Sequence, residues 1–250
     1  MRPLSSILSG RMSDVLAKHL VVEILNGVYE PGDRLPREAD AAAQYSISRS
    51  VYREALRVVA AKGLIESHPK TGTRVNDRSQ WQVLDPDLLH CMSDSMASPA
   101  FLRDLIEFRM AVAPAAAGLA AQRRTDDDVK AMRAALDILS EKTRATEAGR
   151  RAEASFHGTL FLATRNELLA TLSGSIEISV RLQAKFGAIY GGRQTDTPAI
   201  LHQILEAIVM RDPNKARWYM EFELRETHDR MLRWLQAEAP AGRKFARYGG

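Results

Sequence analysis

Residues 45–75, "YSISRSVYREALRVVAAKGLIESHPKTGTRV", decide how this chain folds. Ser48 can cap a helix running from Ser48 or Arg49 to Lys62, with Val51, Ala55, Val58 and Val59 recurring on its inner side and Gly63 ending it. Arg49, Ser50 and Arg53 share the outer side of its first turns. The helix dipole favours anions at that end, so cations gathered there call for a partner outside the helix. Behind Gly63, "LIES" and "TRV" read as strands on either side of "HPKTG", a small hairpin with Gly72 near its tip.

Upstream, "SDVLAKHLVVEILNG" predicts a helix capped by Ser13 or Asp14, with Val15, Leu16, Leu20 and Ile24 on its apolar face and Gly27 as its stop. Residues Arg37 to Gln44 predict a short second helix, and 46–48 the turn into the third. Three helices followed by a hairpin make a winged helix-turn-helix. In a major groove, an arginine on the first turns of its second paired helix can bond guanine O6 and N7 bidentately. Ser48 and Ser50 can set that helix end on phosphates. The alternative is that Arg49 and Arg53 are solvated helix charges, one of them paired with Glu54 or another nearby carboxylate; the order of elements favours DNA.

The bulk properties agree. A net charge of +4 and a pI near 9.3 permit an acidic partner. The single cysteine, Cys91, excludes an internal disulfide framework and a multi-cysteine zinc site, and fits a reducing compartment. With neither a signal-peptide run nor an apolar stretch of membrane-spanning length, the expected location is the cytoplasm, away from membranes.

Beyond a boundary near residues 76–84, apolar residues recur at helical spacing. The predicted helices are Asp85 to Ser95, Pro99 to Arg123, Asp126 to Glu147, Arg150 to Thr164, Glu167 to Tyr190, Ala199 to Met210 and Pro213 to Gln236. The fold class is therefore mainly α: the winged domain at 1–78, a linker with a helix at 79–97, an all-α bundle at 98–237, and a flexible basic tail at 238–250.

The segment from "GVYEPGDRLPREAD" to "TGTRV" resembles the N-terminal domain of GntR-family transcriptional regulators, through P-G-D-x-L-P-x-E, S-R-x-x-x-R-E-A-L, G-L-I and G-T-x-V. The resemblance implies DNA contacts by Arg49 and Arg53, support from Ser48 and Ser50, and a wing approach through Lys70, Thr71 and Gly72. One departure stands out. The family often has an arginine directly after the Glu of L-P-x-E, where this chain has Ala39; Arg37, before that Glu, would take over a backbone contact.

The helical part resembles the FCD effector domain of the fatty-acid regulator branch, in "FLRDLIEFRMAVAPAAAGLAAQRRTDDDV", "EASFHGTLFLATRNELL" and "ILEAIVMRDPNKARWYM". Its linking segment looks closest to sugar-acid (galactonate-type) operon repressors. The resemblance implies a bundle around a small-molecule cavity, in many members with a divalent metal on an acid and three histidines. Glu153 and His157, four apart, share one side of a helix and could ligate an ion such as zinc, nickel or manganese. Leu201 stands where a histidine is expected, with His202 turned ~100° around the helix from it, and Glu223 stands where the last histidine would be. A set of Glu153, His157 and Glu223 departs from the usual site by two of its three imidazoles. The effector-facing residues expected are Arg109, Glu153, His157, His202 and Glu223. Arg109 could grip a carboxylate bidentately, or form a salt bridge with Glu107 or an acid from another helix.

The expected function is a ligand-responsive repressor of a catabolic operon, a homodimer on a short palindromic operator released by a small organic acid. The alternatives are a constitutive architectural DNA binder and an enzyme built on the helical domain. No Gly-rich phosphate loop, nucleophile elbow or H-E-x-x-H motif supports the enzyme. A dimer held by apolar faces is expected, with the Ala-rich stretch 113–121 allowing close helix approach.

Overall fold

A computed structural model describes residues 4–68, 72–95, 99–189 and 197–238. The chain divides into two compact units, 1–96 and 97–250.

The first unit opens with α1 (Leu4–Leu25). It starts well before the expected cap at Ser13 or Asp14, and Ser13 is buried within it. Its inner face is Leu16, Ala17, Leu20, Val21, Ile24 and Leu25, whereas Val15 is 72% exposed. The stripe is rotated from the expected one because two small or branched residues, Ala17 and Val21, complete it on the far side. Gly27, at φ +73°, closes the helix: its N–H donates to the Ile24 carbonyl at 3.1 Å and that of Val28 to Glu23 at 2.9 Å.

Helix α2 (Glu38–Gln44) and α3 (Arg49–Ala61) form the helix-turn-helix. Ser48 is the N-cap of α3, its Oγ accepting from the Val51 N–H at 3.3 Å. The buried face of α3 is Val51, Tyr52, Ala55, Leu56 and Val59; Val58 lies at its margin. Tyr52 reaches across to donate its hydroxyl to the Pro36 carbonyl at 3.0 Å, which holds the L-P-R-E entry of α2 against α3.

Strands β1 (Ile65–His68) and β2 (Gly72–Val75) pair antiparallel, with Ile65 opposite Val75 and His68 opposite Gly72. The P-G-D-R-L segment adds to the outer edge of β2, through Gly32 N to Val75 O at 2.8 Å, Val75 N to Asp33 O at 3.0 Å and Leu35 N to Thr73 O at 3.0 Å. A short 3-10 turn (Arg78–Gln80) then leads to α4 (Pro86–Ser95). The linker helix packs on the winged unit. Lys62, at the end of α3, donates to Asp85 at 2.6 Å and Asp87 at 2.9 Å, while Asp85 also accepts from the Leu88 N–H at 2.9 Å as the cap of α4.

The second unit is helical: α5 (Pro99–Arg123), α6 (Asp126–Lys142), α7 (Glu147–Ala163), α8 (Glu167–Thr171), α9 (Ser173–Ile189), α10 (Thr197–Val209) and α11 (Pro213–Glu238). Thr125 and Asp128 make a reciprocal capping box at the start of α6, and Asn166 caps α8 by accepting from Leu168 and Leu169. Boundaries differ from the periodic reading, and α7 begins at Glu147 rather than Arg150. The expected helix 126–147 stops at Lys142, with Thr143 at φ +55°, and the expected helix 167–190 divides into α8 and α9.

Ala113, Ala116, Ala117, Ala120 and Ala121 are buried in this unit's own core. The stretch expected to serve a dimer instead lets α11 lie close along α5, where small side chains bring backbones together. Phe156 and Phe161 are core as well, while Trp218 is 58% exposed and stacks on Phe222 at 5.7 Å. No described helix is long and apolar enough to cross a membrane.

Candidate nucleic-acid interface and buried polar site

The outer face of α3 carries Arg49, Ser50 and Arg53, all exposed, and Ser48 Oγ and Ser50 Oγ lie 2.9 Å apart. Arg49 makes no ion pair among the described residues. Arg53 pairs instead with Glu38, Nε at 3.0 Å and Nη2 at 2.7 Å, so the paired-charge alternative holds for this residue, through the Glu of L-P-R-E rather than Glu54, which pairs with Arg57 at 3.1 Å. The pair uses one edge of the guanidinium and leaves Nη1 for another acceptor. The Arg53 hydrogen bond also holds the Glu38 carboxyl below its ordinary range. Arg37 is exposed at the N-cap of α2 and caps nothing with its side chain. A groove between α3 and the hairpin is lined by Arg34, Arg37, Arg53, Arg57 and His68, and Gly72 stands at its rim with φ +83°. Lys70 and Thr71 lie outside the described residues.

The second unit holds a buried polar cluster. Arg109 on α5 is 1% exposed; its Nη1 donates to Gln183 of α9, and its Nη2 lies 3.8 Å from Glu223 Oε2 on α11. Glu153 and His157 of α7, four residues apart, are both buried. Arg144, from the turn between α6 and α7, donates from Nε and Nη2 to the two oxygens of Glu153. Thr227, one turn beyond Glu223, donates to Glu223 Oε1 at 3.4 Å.

The cluster is incompletely satisfied. Arg109 Nε and Nη2, both ring nitrogens of His157, Ser179 Oγ and Glu223 Oε2 are buried without a hydrogen-bond partner. Buried polar atoms are ordinarily paired, and each exception calls for an explanation such as a bound group. Burial, reinforced by Arg109 and Arg144, pushes His157 well below its ordinary pKa, so its imidazole is neutral. Burial also raises Glu153, against the pull of Arg144. Burial lowers Arg109, partly offset by Glu223 and Glu153.

Of the expected effector residues, Arg109, Glu153, His157 and Glu223 come together. His202 does not: it is exposed on α10, and Leu201 beside it is buried in the apolar core. The one-residue offset turned it outward. The salt-bridge partner of Arg109 is Glu223 rather than Glu107. The residues do not fit a metal centre. Both Glu153 oxygens are engaged by a guanidinium, Glu223 faces a second guanidinium, and among the described residues no three His, Cys, Asp or Glu come together as metal ligands. Arg144, Ser179 and Gln183 were missed in the sequence. The spacing of Ser179 and Gln183, four apart on one helix face, was a signal for those two; Arg144 had none.

Comparison with known proteins agrees with this division. The model of the bacterial regulatory proteins of the gntR family matches residues 12–75, and that of the FCD domain matches residues 104–222. The galactonate operon transcriptional repressor of Escherichia coli (strain K12) is 32% identical over 197 residues, covering 78% of this chain and 85% of that protein. The Uxu operon transcriptional regulator of the same organism is 35% identical over 153 residues, covering 60% and 57%. Among solved structures, a Listeria monocytogenes protein described as Lar, controlling expression of the agr system, superposes with a TM-score of 0.63 at 18% identity, covering 88% of this chain and 96% of that one. A DNA-binding winged unit joined to an FCD domain defines a transcriptional regulator, not an enzyme. The chain belongs to the GntR family, with a C-terminal FCD domain.

Proposed function

We propose that this chain is a repressor of a catabolic operon, released from a short palindromic operator by a small hydroxycarboxylate such as a sugar acid. The observation that carries the reading is the set of unpartnered atoms around Arg109. The Nε and Nη2 edge of a buried guanidinium suits a carboxylate bidentately. Glu223 Oε2 accepts only, neutral His157 offers one donor and one acceptor, and Ser179 can do either, so hydroxyl groups on the same ligand answer them. The galactonate operon repressor among its relatives, named for a sugar acid, supports the same class.

On the DNA side, Arg49 reads base edges, Arg53 and Arg37 bind backbone, and Ser48, Ser50 and the wing residues Lys70, Thr71 and Gly72 set the register. One such module contacts few base pairs, so two copies related by a two-fold axis supply the specificity of a promoter site. Ligand releases the DNA only to the extent that it binds the two arrangements of the dimer differently. Titrating operator-bound protein with a panel of sugar acids and other hydroxycarboxylates, with light scattering for assembly, tests this reading. Release by members of the panel is expected; a monomer on a half-site, or indifference to every hydroxycarboxylate, overturns it.

A further inference from the structure

We propose that Arg144 is the resident cation of the effector site, occupying the role that a divalent metal fills in the domain type this chain resembles, so that the site works without one. The inference takes the buried cluster to be the effector site, as proposed above, but its test does not depend on that. Arg144 spans both oxygens of the buried Glu153, the acid a metal of the usual kind would need. A bidentate guanidinium takes one lone pair on each oxygen and offsets the carboxylate's charge, so a metal ion at Glu153 would have to compete with it.

The turn that delivers Arg144 is built for it. Thr143 adopts φ +55°, and a Cβ on Gly149 would come within 1.7 Å of the Thr143 carbonyl oxygen, so only glycine lets the turn lie down on the start of α7. Arg150 clamps the same turn, donating to the carbonyls of Arg144 at 3.3 Å and Ala145 at 2.8 Å. The Thr146 hydroxyl caps α7 by accepting from the Gly149 N–H at 3.0 Å.

The charges point the same way. Two guanidiniums, Arg109 and Arg144, stand against two carboxylates, Glu153 and Glu223. A divalent ion added to this set would leave uncompensated positive charge in a dry interior, which is strongly unfavourable. With the acid end already neutralised, the carboxylate of an incoming ligand falls to Arg109 alone, and Arg144 acts as a positioning residue for Glu153.

The test measures metal content and thermal unfolding of the full chain with zinc, nickel or manganese chloride and with EDTA. Wild type is expected to hold far less than one equivalent of metal and to keep its midpoint under either treatment. Arg144→Lys keeps a cation beside Glu153 without the bidentate grip, and is expected to respond to metal less than Arg144→Ala does. Arg144→Ala, or Arg144→Gln if the alanine variant does not fold, leaves Glu153, His157 and Glu223 unbalanced, and an added divalent ion raises its lowered midpoint by several degrees through preferential binding to the native state. Adding Glu153→Gln removes that response. Stoichiometric metal in wild type, or no metal response in Arg144→Gln, overturns the proposal. A separate arm measures the thermal shift of wild type with hydroxycarboxylates. Failure there sinks the effector reading and leaves the Arg144 result standing.

Discussion

Arg109 Nη2 and Glu223 Oε2 lie 3.8 Å apart with both side chains sealed from solvent, and neither atom has a hydrogen-bond partner. An ion pair left this open in a dry interior is poised for a third group. Removing one partner strands the other charge, which for buried pairs costs about 3–5 kcal/mol. Arg109→Met is therefore expected to lower stability by roughly 3 kcal/mol, and Arg109→Met with Glu223→Gln to recover most of it. Urea unfolding of the single and double variants checks the cycle. The double variant should still bind operator but no longer be released by a hydroxycarboxylate.

The two arginines on the first turns of α3 differ in kind. Arg49 makes no ion pair among the described residues, and Arg53 is tied to Glu38. Arg49→Ala should cost about 1–3 kcal/mol of operator affinity and relax sequence preference. Arg37→Ala and Lys70→Ala should weaken binding to all sequences alike, each reducing the salt slope by about one. Fluorescence anisotropy on operator and scrambled DNA across a salt series separates the two behaviours. If Arg49→Ala leaves operator preference intact, its assignment as the base reader is wrong.

Gly149 lies beneath the Thr143 carbonyl with no room for a methyl group. Gly149→Ala must displace the 143–146 turn, at about 1–3 kcal/mol. Because the displaced turn carries Arg144 off Glu153, this variant should also become responsive to divalent ions. A thermal melt with and without manganese reads both effects.

Lys62 fastens the linker helix to the end of α3, and its stabilisation has a defined pH window. Burial alone would favour neutral Lys62, but Asp85 and Asp87 outweigh it and raise its pKa above 10.5. Burial likewise pushes Asp85 up, and the Lys62 ammonium with the Leu88 N–H more than reverses this, holding it below 3.8. The lysine contribution is thus complete below about pH 10.5 and lost as pH rises through its folded value. That of the aspartate is complete above about pH 4 and lost as pH falls through its folded value. Lys62→Met should cost about 1–2 kcal/mol at pH 7, with the gap from wild type narrowing below pH 4. Unfolding midpoints at both pH values decide it; an unchanged gap at low pH would contradict this account.

What the sequence by itself determined is what short-range chemistry controls. Ser48 as a cap, Gly63 as a stop and the hairpin around Gly72 each depend on residues within a few positions, so the winged unit and most helices of the bundle were legible. So were Glu153 and His157 as partners on one face, because a spacing of four is a property of any helix. The tertiary structure alone decided which charges meet. Periodicity carried the helix after Asp126 through to Glu147, past Arg144; the break at Thr143 instead sets Arg144 in a turn against Glu153. Arg53 found Glu38 across the helix-turn-helix, and Arg109 found Gln183 and Glu223 on two other helices. His202 and the alanines at 113–121 changed roles for the same reason: which face of a helix is covered depends on its neighbours. Contacts between side chains far apart in the chain follow from packing, and no local pattern records them.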